Sequence, residues 1–169
     1  HGSAGGPGSR GPRPARPTAV TAAPTSLSPT PPPMTSEGAR TGISHFFLNV
    51  ARIVFGLMFM QHGAQKLFGV LGREAVEIFS LLWVAGVLEL WGGLLVVVGL
   101  FTRPVAFLLA GLMAAAYFLA HAGVGFFPVV NQGELAVLYC FFFLFLAANG
   151  GGAFSLDGLF ETRRRARAA

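Results

Sequence analysis

Five ionisable residues, Arg52, His62, Lys66, Glu89 and His121, sit inside stretches so apolar that each needs a reason to be there. A charged side chain at mid-helix in a bilayer costs about 2.5 to 3.5 kcal/mol on insertion scales. Glu134, Arg103 and Asp157 stand at the borders of the same stretches. Residues 56–69, GLMFMQHGAQKLFG, show the pattern in miniature, with Gln61, His62, Gln65 and Lys66 among filler. A histidine and a lysine one helical turn apart can hydrogen-bond the polar head of a small molecule. A buried carboxylate beside an arginine can serve as a proton-accepting pair.

Helical geometry says which of these could meet. At ~100° per residue Arg52 and Lys66 fall within about 40° of each other, and His62 lies about 40° further round, so one polar stripe runs along a first helix and should face a bundle. If that helix runs outward, Lys66 marks the outer boundary, His62 lies about 6 Å deeper and Arg52 sits in the inner third. A second helix running inward leaves Glu89 near the midplane, while His121 and Glu134 fall at the outer edge. His62, Lys66, His121 and Glu134 are therefore expected at one end, with Glu134 as the partner of Lys66. Arg52 is expected as the counter-ion of the deep Glu89, because burying either alone costs far more than burying the pair. Arg103 and Asp157 are expected to form a structural ion pair at the inner end.

Each assignment has a plainer counterpart. Arg52 and Glu89 could only specify the fold, His62 and Lys66 could be a snorkelling pair, and His121 could be a boundary residue. Metal chemistry is not assigned, since no HxxxH, cysteine pair or carboxylate cluster is present. A bis-histidine haem between His62 and His121 would lack supporting neighbours and is not assigned either. Cys140 is the single cysteine, which excludes an internal disulfide and paired-thiol exchange. The glycines 150–152 are no phosphate loop, because no lysine follows them.

The elements that must position these groups follow from composition. The chain is 53% hydrophobic with 11% charged residues, about half the usual charged fraction, so lipid is the solvent for most of it. Four apolar stretches, 46–68, 79–101, 104–124 and 133–149, each approach the ~20 residues that cross a bilayer. The fold expected is all-α, a four-helix transmembrane bundle with short connections. "FTRP" at 101–104 is a tight turn, "GVGFFPVVNQG" at 123–133 an interfacial loop, and "NGGGAFSLDG" at 149–158 a helix stop. Gly86, Gly92 and Gly93 suit close helix packing.

The net charge of +5 resides largely in arginines at 10–40 and 163–167. That is where a membrane protein keeps cytoplasmic positive charge, and no basic surface is interleaved with aromatics as nucleic-acid binding would need. Arg40, Arg103, Arg163, Arg164, Arg165 and Arg167 collect on one side and Arg73 with Lys66 on the other, so both termini are expected in the cytoplasm. Residues 1–44 read as a disordered Pro, Gly and Arg-rich tail, with Met34 a candidate natural start; 45–160 form the membrane domain and 161–169 an Arg-rich cytoplasmic tail.

Four motifs in order, "RIVFGLMFMQHGAQKLFG" (52–69), "ELWGGLLVVVGLFTRP" (89–104), "HAGVGFFPVVNQGELAVLY" (121–139) and "GGGAFSLDG" (150–158), resemble the DoxX family of small bacterial inner-membrane proteins. The resemblance implies a four-helix bundle in the bacterial cytoplasmic membrane and a link to respiratory, sulfur or redox metabolism, since relatives are named for a subunit of a thiosulfate:quinone oxidoreductase. Carried over, its motif positions are Arg52, Gly56, Gly63, Lys66, Glu89, Gly99, Arg103, Pro104, His121, Glu134 and Asp157.

The function expected is a redox-associated membrane subunit that binds a quinone-like or other small amphiphile in a polar pocket in the outer half of the bundle. The alternative is a non-catalytic scaffold that anchors soluble redox or sulfur-metabolism partners through the Arg-rich tail. An exporter would need oligomerisation to build a pathway from four spans. Whether the chain is an enzyme stays open.

Overall fold

The computed structural model describes residues 1–3 and 36–168, the side chains of 36–41 excepted. The tail at 4–35, with the Met34 start, lies outside the described residues. The chain divides into two units, 1–33 and 34–169, and the architecture below is that of the second.

Among the described residues every regular element is helical and no strand occurs. The helices are α1 (Ser36–Phe68), α2 (Leu81–Val98), α3 (Thr102–Ala116), α4 (Pro128–Asn131), α5 (Glu134–Asn149) and α6 (Leu156–Ala168). A π-helical turn, Tyr117–His121, continues α3. Helix α1 starts at Ser36, within the segment expected to be a tail, because nothing from there to Phe68 breaks a helix. The Arg-rich tail is likewise helical.

Three helical stretches are long and apolar enough to cross a membrane: Gly42–Phe68, Leu81–Val98 and Thr102–His121. Four were expected. The fourth, α5, is apolar but has 16 residues, about 24 Å of helix.

Helix ends follow local chemistry. Ser80 caps α2, its hydroxyl accepting from the Trp83 amide at 3.1 Å. Gly99 ends α2 in the left-handed conformation (φ 70°, ψ 45°), and the Leu100 amide returns to the Leu95 carbonyl at 3.0 Å.

Helices α1 and α2 pack backbone to backbone through Gly56 and Gly63 on one side and Gly86 and Gly93 on the other. A Cβ on Gly63 would lie 2.5 Å from the Leu90 nitrogen, and one on Gly93 would lie 2.7 Å from Met60 Cγ. Glycine here permits the approach that lipid-embedded helices need, since no hydrophobic effect drives them together. Helices α3 and α5 share a core of Leu109, Ala110, Met113, Tyr139, Phe143 and Leu146. Helix α1 joins it through aromatic rings: Phe55 stacks on Phe142 at 4.0 Å, and Phe59 meets Phe143 edge-on at 4.8 Å. Large apolar side chains such as Phe107, Leu119 and Phe141 point outward, as a lipid-facing surface requires.

Candidate functional site

Antiparallel helices decide which charges meet. A helical side chain leans toward its own N-terminus. Lys66 on α1 and Glu89 on the antiparallel α2 therefore lean in opposite directions, and the two converge beside Gly86, where Lys66 Cβ packs. Lys66 Nζ donates to both carboxylate oxygens, at 2.6 Å to Oε1 and with a second contact to Oε2. Glu89 is 3% exposed. The expected Arg52–Glu89 and Lys66–Glu134 pairs do not form.

Arg52 obeys the same lean and points away from Glu89, toward the C-terminal end of α2. Its Nη1 donates to the Val96 and Val97 carbonyls, each at 2.5 Å, and its Nη2 to the Phe154 carbonyl at 2.9 Å and Asn49 Oδ1 at 3.4 Å. The guanidinium is 1% exposed, and its Nε has no partner. A cation at the negative end of a helix dipole is favourably placed. Arg52 thus ties α1, the end of α2 and the segment before α6 together.

Asp157 performs the reciprocal task on the far side of the α2–α3 turn. Its Oδ1 accepts from the Phe101 amide at 2.9 Å and its Oδ2 from the Thr102 amide at 2.8 Å. An acid from α6 therefore caps α3, whose own preceding residue, Phe101, supplies no side-chain cap. The expected Arg103–Asp157 ion pair is absent: both oxygens serve amides, and Arg103 is exposed alongside Gly150.

His62 lies half-buried one turn before Lys66, its ring edge-on to Tyr139 with centroids 6.2 Å apart. The Tyr139 hydroxyl is buried without a hydrogen-bond partner. The Lys66–Glu89 pair, His62 one turn before Lys66, and Tyr139 edge-on to His62 bring polar groups from three helices beside the aromatic core.

His121 and Glu134 do not join it. His121 Nδ1 is 3.0 Å from the Asn131 carbonyl oxygen in a knot centred on buried Asn131, which donates to the Gly125 carbonyl at 2.6 Å and to the Tyr117 hydroxyl at 3.2 Å. Tyr117 in turn donates to the Phe126 carbonyl. Glu134 is exposed in the first turn of α5, a favourable place for an acid. Nothing joins His62 to His121, and no group of three potential metal ligands occurs among the described residues.

Five clefts flank the described helices, and Arg52, His62, Lys66 and Glu89 line none of the five. Glu89 is buried, while Lys66 and His62 are half-buried above it. Sequence reasoning passed over Asn49, Tyr139 and Asn131. Asn49 and Asn131 carried a signal, a carboxamide in or beside an apolar stretch, whereas Tyr139 looked like core.

Residues 47–122 match the DoxX family. An uncharacterized protein of Haemophilus influenzae is 44% identical over 122 residues, which cover 68% of this chain and 91% of that protein. No solved structure matches the chain significantly. The match on residues 47–122 spans Arg52, Lys66 and Glu89, and with a relative covered almost end to end, this chain belongs to the DoxX family.

Proposed function

We propose that the chain is a multi-pass protein of the bacterial inner membrane, a redox-associated subunit that holds the polar head of a quinone-like amphiphile at the His62, Lys66, Glu89 and Tyr139 cluster. Four helices, α1, α2, α3 and α5, cross the bilayer, α5 with help from the α4 turn, and both termini face the cytoplasm.

The observation that carries this reading is the Tyr139 hydroxyl. A buried polar group without a partner costs about 1 to 3 kcal/mol, and phenylalanine would fill the same space without that cost. The Tyr139 hydroxyl, on a ring edge-on to His62, is free to donate to a ligand carbonyl, with Lys66 turning part of its hydrogen bonding to the same atom. Glu89 is placed to take or return a proton. The apolar surface around the cluster suits a greasy tail.

Purification in native lipid discs, followed by mass analysis of bound small molecules, tests the proposal. Wild-type protein should retain a quinone, and Y139F and K66A should each retain at least tenfold less. Full retention by both variants would overturn it.

A second reading, a scaffold without a ligand, is favoured by one observation: Arg52 and Asp157 bind backbone groups on the two sides of the α2–α3 turn. In that case Y139F binds as little as wild type and is the more stable of the two.

A further inference from the structure

Helix α6 has two unlike faces. At ~100° per residue, Leu156, Leu159, Phe160, Arg163, Arg164 and Arg167 fall within a sector of about 140°. Gly158, Glu161, Thr162 and Arg165 occupy the opposite side. This second face lines a cleft of about 950 Å³ shared with His45 and Asn149, and within it Arg165 is bound to Glu161 at 2.9 Å. The first face therefore points away from the cleft, and its apolar members are bare: Leu159 is 44% and Phe160 53% exposed.

The order along that face matters. Its apolar residues come first, beside the junction where Asp157 is fastened to the start of α3. Its three arginines follow, exposed and free of the one ion pair within the helix. Apolar side chains adjoining the membrane domain, continued by cations along the same stripe, match the acyl and phosphate layers of a lipid surface.

We propose that α6 docks on the bilayer itself, with Leu156, Leu159 and Phe160 in the interface and Arg163, Arg164 and Arg167 on the phosphates of anionic lipids. The helix is then a sensor of surface charge at the end of the bundle. This goes beyond the head-group cluster and stands without it. Each arginine near an anionic surface strengthens docking about fivefold, so the three together change the docked-to-free ratio on the order of 100-fold.

Nitroxide labels at L159C and T162C, in the full chain carrying C140A and reconstituted into vesicles, test the proposal. With phosphatidylglycerol present, the label at 159 should be open to oxygen and shielded from a water-soluble nickel chelate, while the label at 162 stays open to the chelate. Phosphatidylcholine alone should leave 159 more exposed. R163Q/R164Q/R167Q should release the helix from the anionic vesicles, and R165Q should change the ratio less than about twofold. Raising salt should release the helix in the chain with its native arginines, an arm that needs no arginine variant. Equal chelate access at 159 in both vesicle types would overturn the proposal, as would spin broadening between labels at 159 of neighbouring molecules, which would mean that a second copy covers the face.

Discussion

Lys66 and Glu89 meet because each leans toward the N-terminus of its own helix, and the helices run in opposite directions past a shared glycine seam. By the same rule Arg52, fourteen residues earlier on α1, is carried away from Glu89 and onto the carbonyls that end α2. One lysine and one arginine on a single stripe are thereby assigned to opposite ends of the bundle. The lysine makes an ion pair. The arginine finds backbone.

The role of Arg52 can be read by comparing two substitutions. R52Q removes the charge and most of the fork, and should lower unfolding free energy by roughly 3 kcal/mol, since hydrogen bonds from a charged group are worth about 1.5 to 3 kcal/mol each. R52K keeps the charge but lacks the fork that holds the α2 carbonyls and Phe154 together, and should recover less than about half of the loss. Unfolding of purified protein by denaturing detergent measures both. Complete rescue by lysine would mean that charge alone matters.

Asp157 and Arg103 separate a helix cap from an ion pair. D157A should cost about 1 to 2 kcal/mol, because two amides at the start of α3 lose their acceptor. R103A should cost less than about 0.5 kcal/mol, as an exposed residue without a partner would. Equal losses in thermal unfolding would restore the ion pair.

Two glycines in similar apolar helices should respond in opposite ways. Ala at Gly63 would place its Cβ 2.5 Å from the Leu90 nitrogen, within the α1–α2 seam, whereas at Gly111 nothing lies within 4 Å. G63A is expected to lower the unfolding free energy by about 2 kcal/mol or more, as overpacking does. G111A should be neutral or stabilising by up to about 1 kcal/mol through helix propensity. A benign G63A would mean that α1 and α2 are further apart.

Much of the fold was legible because apolar length and glycine or proline punctuation speak directly to helices in lipid. Helices were expected within a few residues of α2, of α3 with its π-helical turn, and of α5, and the glycines Gly86 and Gly93 marked a real seam. The pairings were not legible. Rotation about the axis placed Arg52, His62 and Lys66 on one face, but angle and depth say nothing about the lean of a long side chain, which decided between Arg52 and Lys66 for Glu89. Asp157 was misassigned for a related reason. Opposite charges near in depth suggest a pair, while unsatisfied amides at a helix start carry no letter in the sequence. The π-helical turn and the Asn131 knot depend on backbone hydrogen bonds that composition does not encode.

The Lys66–Glu89 pair is most directly tested by exchanging its charges. K66E and E89K alone should each leave like charges facing one another and cost several kcal/mol, comparable to the 3 to 5 kcal/mol lost when a buried pair is broken. The double variant K66E/E89K, measured by detergent unfolding beside both singles, should recover at least about half of the summed loss. A double variant whose loss equals the sum of the two singles would contradict the pair, and with it the polar cluster built around Glu89.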